Sequence, residues 1–232
     1  MNSQNRTLIN WIFTGLCIFA YSVNSFAYEQ DNVAEFSLIV QSNELSLQYP
    51  DSVNRTKVST LRGTWWQSLS PWLQGALSLA YVDMSQDSYA SVPAYNATGY
   101  DIGVGFRGGI LQSNFVNIGL KFTIDYLSTA GGTALNQRTE INWFEYIGSA
   151  DFIFIPTKPV SILAGVSYTV IDGEQKIYNT SNNFNSIQSF SANIPEGYYA
   201  GLSIKTGQSG QINMKWHEGT RQGFYLTFSN RF

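Results

Sequence analysis

Apolar and polar residues alternate with a period of two along almost the whole chain after Ala27. Leu73, Gly75, Leu77, Leu79 and Tyr81 share one face, against Gln74, Ala76, Ser78 and Ala80 on the other. Ile118, Leu120, Phe122, Ile124 and Tyr126 repeat the pattern, as do Val160, Ile162, Ala164, Val166, Tyr168 and Val170, and later Phe224, Leu226 and Phe228. Successive side chains of a strand point to opposite faces, so this period specifies β-structure, and no helical period of comparable length competes. Ten strands are predicted near 34–48, 56–68, 72–83, 98–109, 115–127, 139–155, 160–171, 196–205, 211–217 and 222–232. In the first, the apolar face runs through Phe36, Leu38 and Val40 and then changes phase to Leu45, Leu47 and Tyr49. One extra residue flips an alternation, so a β-bulge near Ser42-Asn43 accounts for the change, with a second short hairpin as the alternative.

Such a chain builds either a soluble sandwich or a barrel, and composition bears on the choice. Charged residues are 12% and aromatics 15% of the 232 residues, with 20 Gly. The mean hydropathy is −0.12, too polar for a bundle of membrane helices. These values fit strands that face lipid on one side and a polar lumen on the other. A formal charge of −3 leaves no basic footprint for nucleic acid. Arg6, the apolar stretch from Leu8 to Tyr21 and Ser25-Phe26-Ala27 read as a secretory leader spanning 1–27, followed by a single barrel domain at 28–232. Cys17 lies inside that leader, so the exported chain carries no thiol for a disulfide, a metal or a nucleophile.

The connections argue for the barrel. Longer polar segments (50–55, 84–97, 128–138 and 172–195) alternate with short turns at 69–71, 110–114 and 156–159. Long loops at one end and short turns at the other are expected of barrels whose short turns face the periplasm. The expectation is therefore an all-β, up-and-down antiparallel transmembrane β-barrel of ten strands, with eight as the alternative. Tyr81, Tyr100, Tyr126, Tyr168, Tyr198 and Trp216 fall near one set of strand ends. Trp65, Trp66, Trp72, Phe106, Phe154 and Phe232 fall near the other, as two interfacial belts would.

The chain ends Phe224-Tyr225-Leu226-Thr227-Phe228-Ser229-Asn230-Arg231-Phe232. This resembles the C-terminal strand signature of bacterial outer-membrane β-barrel proteins, although Asn230 departs from the apolar residue common at its position. The resemblance implies outer-membrane localisation in a Gram-negative bacterium. It also implies recognition of Phe228 and Phe232 by the barrel-assembly machinery, and outer-membrane lipid and lipopolysaccharide as surroundings.

With apolar faces turned to lipid, Asp101, Arg107, Lys121, Asp125, Glu145, Asp151, Lys205, Lys215 and Arg231 point into the lumen. A narrow barrel holds little more than its own side chains, and an unpaired buried charge is costly, so a salt-bridge network is expected. His217 is the only histidine and the sole candidate for catalysis, placed at the rim beside Glu218. Outer-membrane proteases and lipid A deacylases resemble this placement, but their motifs are absent: Asp83 and Asp172 are only loosely placed, and position 219 is Gly. No metal ligand set and no cofactor site is legible. Gly103–Gly109 lacks the strand–loop–helix setting of a phosphate loop and reads as space for a narrow lumen. The segments 84–97 and 172–195, rich in Ser, Asn and Tyr, suit contact with an extracellular ligand. The functional expectation is a non-enzymatic barrel with a structural or surface-binding role. The alternatives are a narrow channel for small solutes and a hydrolase using His217.

Overall fold

The computed structural model describes residues 34–87, 94–133, 137–179 and 185–232; the leader at 1–27 lies outside them. Eleven strands follow in order: β1 (Ala34–Tyr49), β2 (Ser52–Ser70), β3 (Leu73–Gln86), β4 (Tyr95–Gln112), β5 (Val116–Thr133), β6 (Gln137–Thr157), β7 (Val160–Asn179), β8 (Asn185–Ala192), β9 (Glu196–Lys205), β10 (Gly210–Gly219) and β11 (Arg221–Arg231). All pairings are antiparallel. β1 to β7, β9, β10 and β11 form an up-and-down ring of ten strands that closes between β11 and β1. Closure pairs eleven residues of each strand, from Glu35↔Arg231 to Leu45↔Arg221. The amides and carbonyls of Ala34 and Phe232 seal the end of this seam at 3.1 and 3.0 Å. Ring closure leaves no sheet edge, the condition for a β-structure in lipid.

Large apolar side chains stand exposed on all ten wall strands: Phe36, Leu61, Leu79, Ile102, Leu120, Phe152, Val166, Leu202, Trp216 and Phe228 are examples. An apolar band continuous around a molecule has no stable arrangement in water, and it matches the hydrocarbon layer of a bilayer. Tyr81, Tyr100, Tyr168, Tyr198 and Trp216 are exposed at its outer margin. Trp65, Phe106, Phe154 and Phe232 are exposed toward the opposite margin. Trp66 departs from the expected belt: it is buried and faces the lumen, as the even phase of β2 requires.

A tilted strand needs about 9–11 residues to cross a bilayer. β6 has 21 and β7 has 20, so the wall continues well past the belt. There the pattern reverses. On β3, Leu77 and Leu79 are 67% and 62% exposed, whereas Val82 and Met84 are 0% and 1% exposed. Below the tyrosine ring the apolar residues point outward; above it they point inward and pack on one another. The same reversal explains β1. Its register against β2 and β11 is unbroken, with no bulge at Ser42-Asn43. Phe36, Leu38 and Val40 face out and Leu45, Leu47 and Tyr49 face in, because the apolar side of the wall changes, not the phase of the strand. The register shifts that do occur fall at Ser68/Ser70, Gly109/Leu111 and Phe154/Thr157, all beside the short turns.

This reversal also corrects the expected loops. The segment 84–97 is strand to Gln86 and again from Tyr95, and 172–195 is largely the β7–β8 hairpin. The tips at 88–93 and 180–184 lie outside the described residues. β8 pairs with β7 along Asp172–Tyr178 and with β1 at Leu47 and Gln48. It thus passes over the ends of β9, β10 and β11. The wall is a ten-stranded ring through the belt and an eight-stranded ring, β1 to β8, at its outer lip.

Candidate functional site

The interior has two storeys, set by the same inward-facing rows. The outer storey is apolar. Leu45, Leu47, Tyr49, Val58, Val82, Met84, Tyr95, Ala97, Leu127, Ile141, Trp143, Ile171 and Phe190 form one buried cluster. Phe190 of β8 caps it, with its ring 5.2 Å from Tyr49 and edge-on to Trp143 at 5.9 Å. Gly173 makes room for that ring: a Cβ there would lie 2.3 Å from Phe190 Cζ.

Burial in this core, beyond the membrane belt, pushes the Tyr49 phenol up to about 12 and raises that of Tyr95. A raised folded-state value favours folding while the phenol is neutral. Its contribution is complete below pH 10 and disappears as pH rises through about 12. For Tyr49 this amounts to roughly 2–3 kcal/mol. In an ultraviolet titration of the folded barrel, Tyr49 and Tyr95 are expected to ionise after the exposed tyrosines, with the outer core loosening in the same window. Ionisation of every tyrosine near pH 10 with the fold intact would contradict this.

The lower storey is polar and charged. Arg62 bridges two buried carboxylates, pairing with Asp101 and, at 2.8 Å, with Asp125. Gly103 is required here, since a Cβ would lie 2.0 Å from Asp125 Oδ1. Gly105 similarly leaves space for Trp66 and Thr123. Arg221 holds Glu145, with Nε donating at 3.1 Å and Nη2 closing the fork. Near the short turns, Glu35 accepts from Arg107 at 2.7 Å and from Arg231 at 3.1 Å, and Arg107 also donates to Gln74 and lies 4.3 Å over Trp66.

Of the luminal charges expected from sequence, Asp101 and Asp125 meet through Arg62, Glu145 meets Arg221 and Arg107 meets Glu35. Lys121 and Asp151 make no ion pair within 4.0 Å among the described residues. Arg62, Arg221 and Glu35 were missed by the sequence reading. Arg62 was legible from its phase, which it shares with Thr60, Thr64 and Trp66. Arg221 sits one residue before the expected start of its strand. Phe228 and Phe232 both face outward and are exposed, with Phe232 against Trp65 at 5.6 Å.

His217 is not at the rim. Because β10 stops beneath β8, the ring lies inside the lumen, stacked between Tyr199 at 4.8 Å and Tyr225 at 4.0 Å. Its Nε2 is buried without a hydrogen-bond partner. Glu218 is turned the other way and accepts from Trp216 Nε1 at 2.8 Å. Asp83 and Asp172 are exposed on the outward phase of their strands. No carboxylate therefore orients the imidazole among the described residues, which general-base chemistry requires. No group of three or more His, Cys, Asp and Glu is placed to hold a metal among the described residues.

No family model matches this chain, and no curated protein matches its sequence. Solved structures share its fold. The outer membrane protease OmpT from Escherichia coli superposes with a TM-score of 0.52 at 6% identity, covering 90% of this chain and 97% of that one. The outer membrane protein OprG from Pseudomonas aeruginosa gives 0.50 at 7% identity, covering 88% and 97%. The fold is that of the small bacterial outer-membrane β-barrels.

Proposed function

We propose that this chain, folded as a small bacterial outer-membrane β-barrel, acts in the outer membrane as a closed, non-enzymatic barrel. It stiffens the bilayer and presents its outer hairpins for contact with a ligand at the cell surface. The leader at 1–27 directs export, and the closing strand with Phe228 and Phe232 serves the assembly machinery. Lipid and lipopolysaccharide surround the wall. The observation that carries this reading is the apolar core of the outer storey. A solute or ion crossing the barrel would have to pass through side chains that are almost wholly buried, from Leu45 to Trp143, where a bare charge is strongly disfavoured. The hairpin of β7 and β8 and the connection between β3 and β4 are the surfaces left for recognition.

Reconstitution into planar bilayers tests the closed reading. The folded protein is expected to give no reproducible conductance steps, while deletion of β8 with its cap residue Phe190 gives unstable openings. Steady unitary steps from the unaltered chain would establish the channel alternative instead.

A further inference from the structure

Beneath the apolar core lies a cavity of about 110 Å³. Lys121, Arg221, His217 and Tyr225 line it, together with the hydroxyls of Ser149 and Ser167. We propose that it is a binding site for a small oxyanion of the phosphate or carboxylate type, beyond the structural role assigned above.

Charge is the first argument. In the lower storey, Arg62 faces two carboxylates, Asp101 and Asp125, which leaves one negative charge in excess there, and Arg221 is matched one to one by Glu145. Lys121 and Lys215 are left with Asp151 as the remaining carboxylate on their side of the lumen, and none of the three has an ion-pair partner within 4.0 Å among the described residues. Lys215 instead rests over the Tyr199 ring at 4.3 Å, and Lys121 lies 5.8 Å from the Trp66 ring. Two ammonium groups beside one carboxylate make this part of the lumen locally positive, the counterpart of the negative excess at Asp101 and Asp125, and Lys121 brings that charge to the cavity wall. An ammonium held without an ion-pair partner in a narrow lumen is costly unless water or an anion meets it.

Donor geometry is the second. Arg221, whose Nε and Nη2 hold Glu145, borders the cavity and carries more N–H groups than that pair uses. Two serine hydroxyls and the Lys121 ammonium add donors, and the His217 Nε2 on the same wall is buried without a partner. Glu218 borders the cavity, but its carboxylate is engaged by Trp216. The volume holds roughly three or four waters at ~30 Å³ each, or one oxyanion in their place.

At the short-turn end a recess of about 650 Å³ lies among Ser113, Asn114, Ile155, Lys158, Pro159, Lys205 and Gly207, whose two lysines favour anions. Gln211, Asn213 and Lys215 on the inward row of β10 keep partial solvent exposure.

The single histidine supplies a unique reporter on the cavity wall. Sodium phosphate or sodium acetate is titrated into the folded barrel in detergent at fixed pH, with sodium chloride matching the ionic strength, and the His217 imidazole resonances are followed by NMR. The expected result is a saturable shift that Lys121→Met weakens by about tenfold, in line with loss of a charge-assisted hydrogen bond, while Lys57→Met on the exposed face of β2 leaves it nearly unchanged. If Lys121→Met does not fold, Ser167→Val removes a lining hydroxyl without touching a charge and is expected to weaken binding severalfold. A shift that never saturates, or saturation unaltered by the cavity substitution that folds, overturns the proposal.

Discussion

Replacing Arg62 with Met is expected to cost this barrel about 3–5 kcal/mol, the largest loss of any single charge substitution. The residue joins two carboxylates from different strands, Asp101 of β4 and Asp125 of β5, which are both 2% exposed. Without the guanidinium, two like charges face each other with no counter-ion and little water. Equilibrium urea unfolding of the folded barrel, read by tryptophan fluorescence and gel mobility, measures the loss. Adding Asp101→Asn and Asp125→Asn to Arg62→Met is expected to return most of it, because removing a whole buried ionic group is far cheaper than removing one partner. A loss below about 1 kcal/mol for the single variant would show that the pair is hydrated and carries little of the fold.

A comparable effect is expected in the upper storey. Trp143 is 1% exposed and its ring meets the cap residue Phe190 edge-on. Trp143→Ala is expected to destabilise by about 3–5 kcal/mol through lost burial and the cavity left behind. Trp143→Phe should cost far less, since the ring is kept and the buried indole Nε1, which has no partner, is removed. Hydrogen exchange distinguishes where the loss falls. The alanine variant should lose protection first in the outer halves of β6, β7 and β8, with the belt unaffected. Uniform loss around the ring would mean that the two storeys unfold as one unit and that the core is not a separable plug.

Strand content, the ten-fold count of wall strands and the inward phase of Asp101, Arg107, Lys121, Asp125, Glu145 and Asp151 were legible because period two is a local property of a strand. The closing segment from Phe224 to Phe232 was legible for the same reason. The pairing of charges was not. Which inward residues meet depends on how the ten strands are staggered, and that stagger is a property of the closed ring. Arg62 reaches Asp101 and Asp125 across three strands, with separations of 39 and 63 residues. No local spacing encodes those contacts. His217 was misplaced for a related reason: the end of its strand is the rim only if nothing lies beyond, and β8 does.

Alternation also carries no absolute sign. Phe36 to Val40 and Leu45 to Tyr49 are each regular, and read along the chain they look like one strand broken by a bulge. The ring shows one unbroken strand crossing from lipid, where apolar residues are best placed outside, into water, where they are best placed inside. By itself the sequence determined that this chain is a closed antiparallel wall with an apolar belt, since the period sets the strands, and the few charges and the alternation of long segments with short turns favour a barrel over a sandwich. Only the tertiary structure decided where the belt ends, which side the remaining apolar residues occupy and that they fill the outer lumen. Those depend on what surrounds each height of the wall, and a chain acquires surroundings only when it is closed.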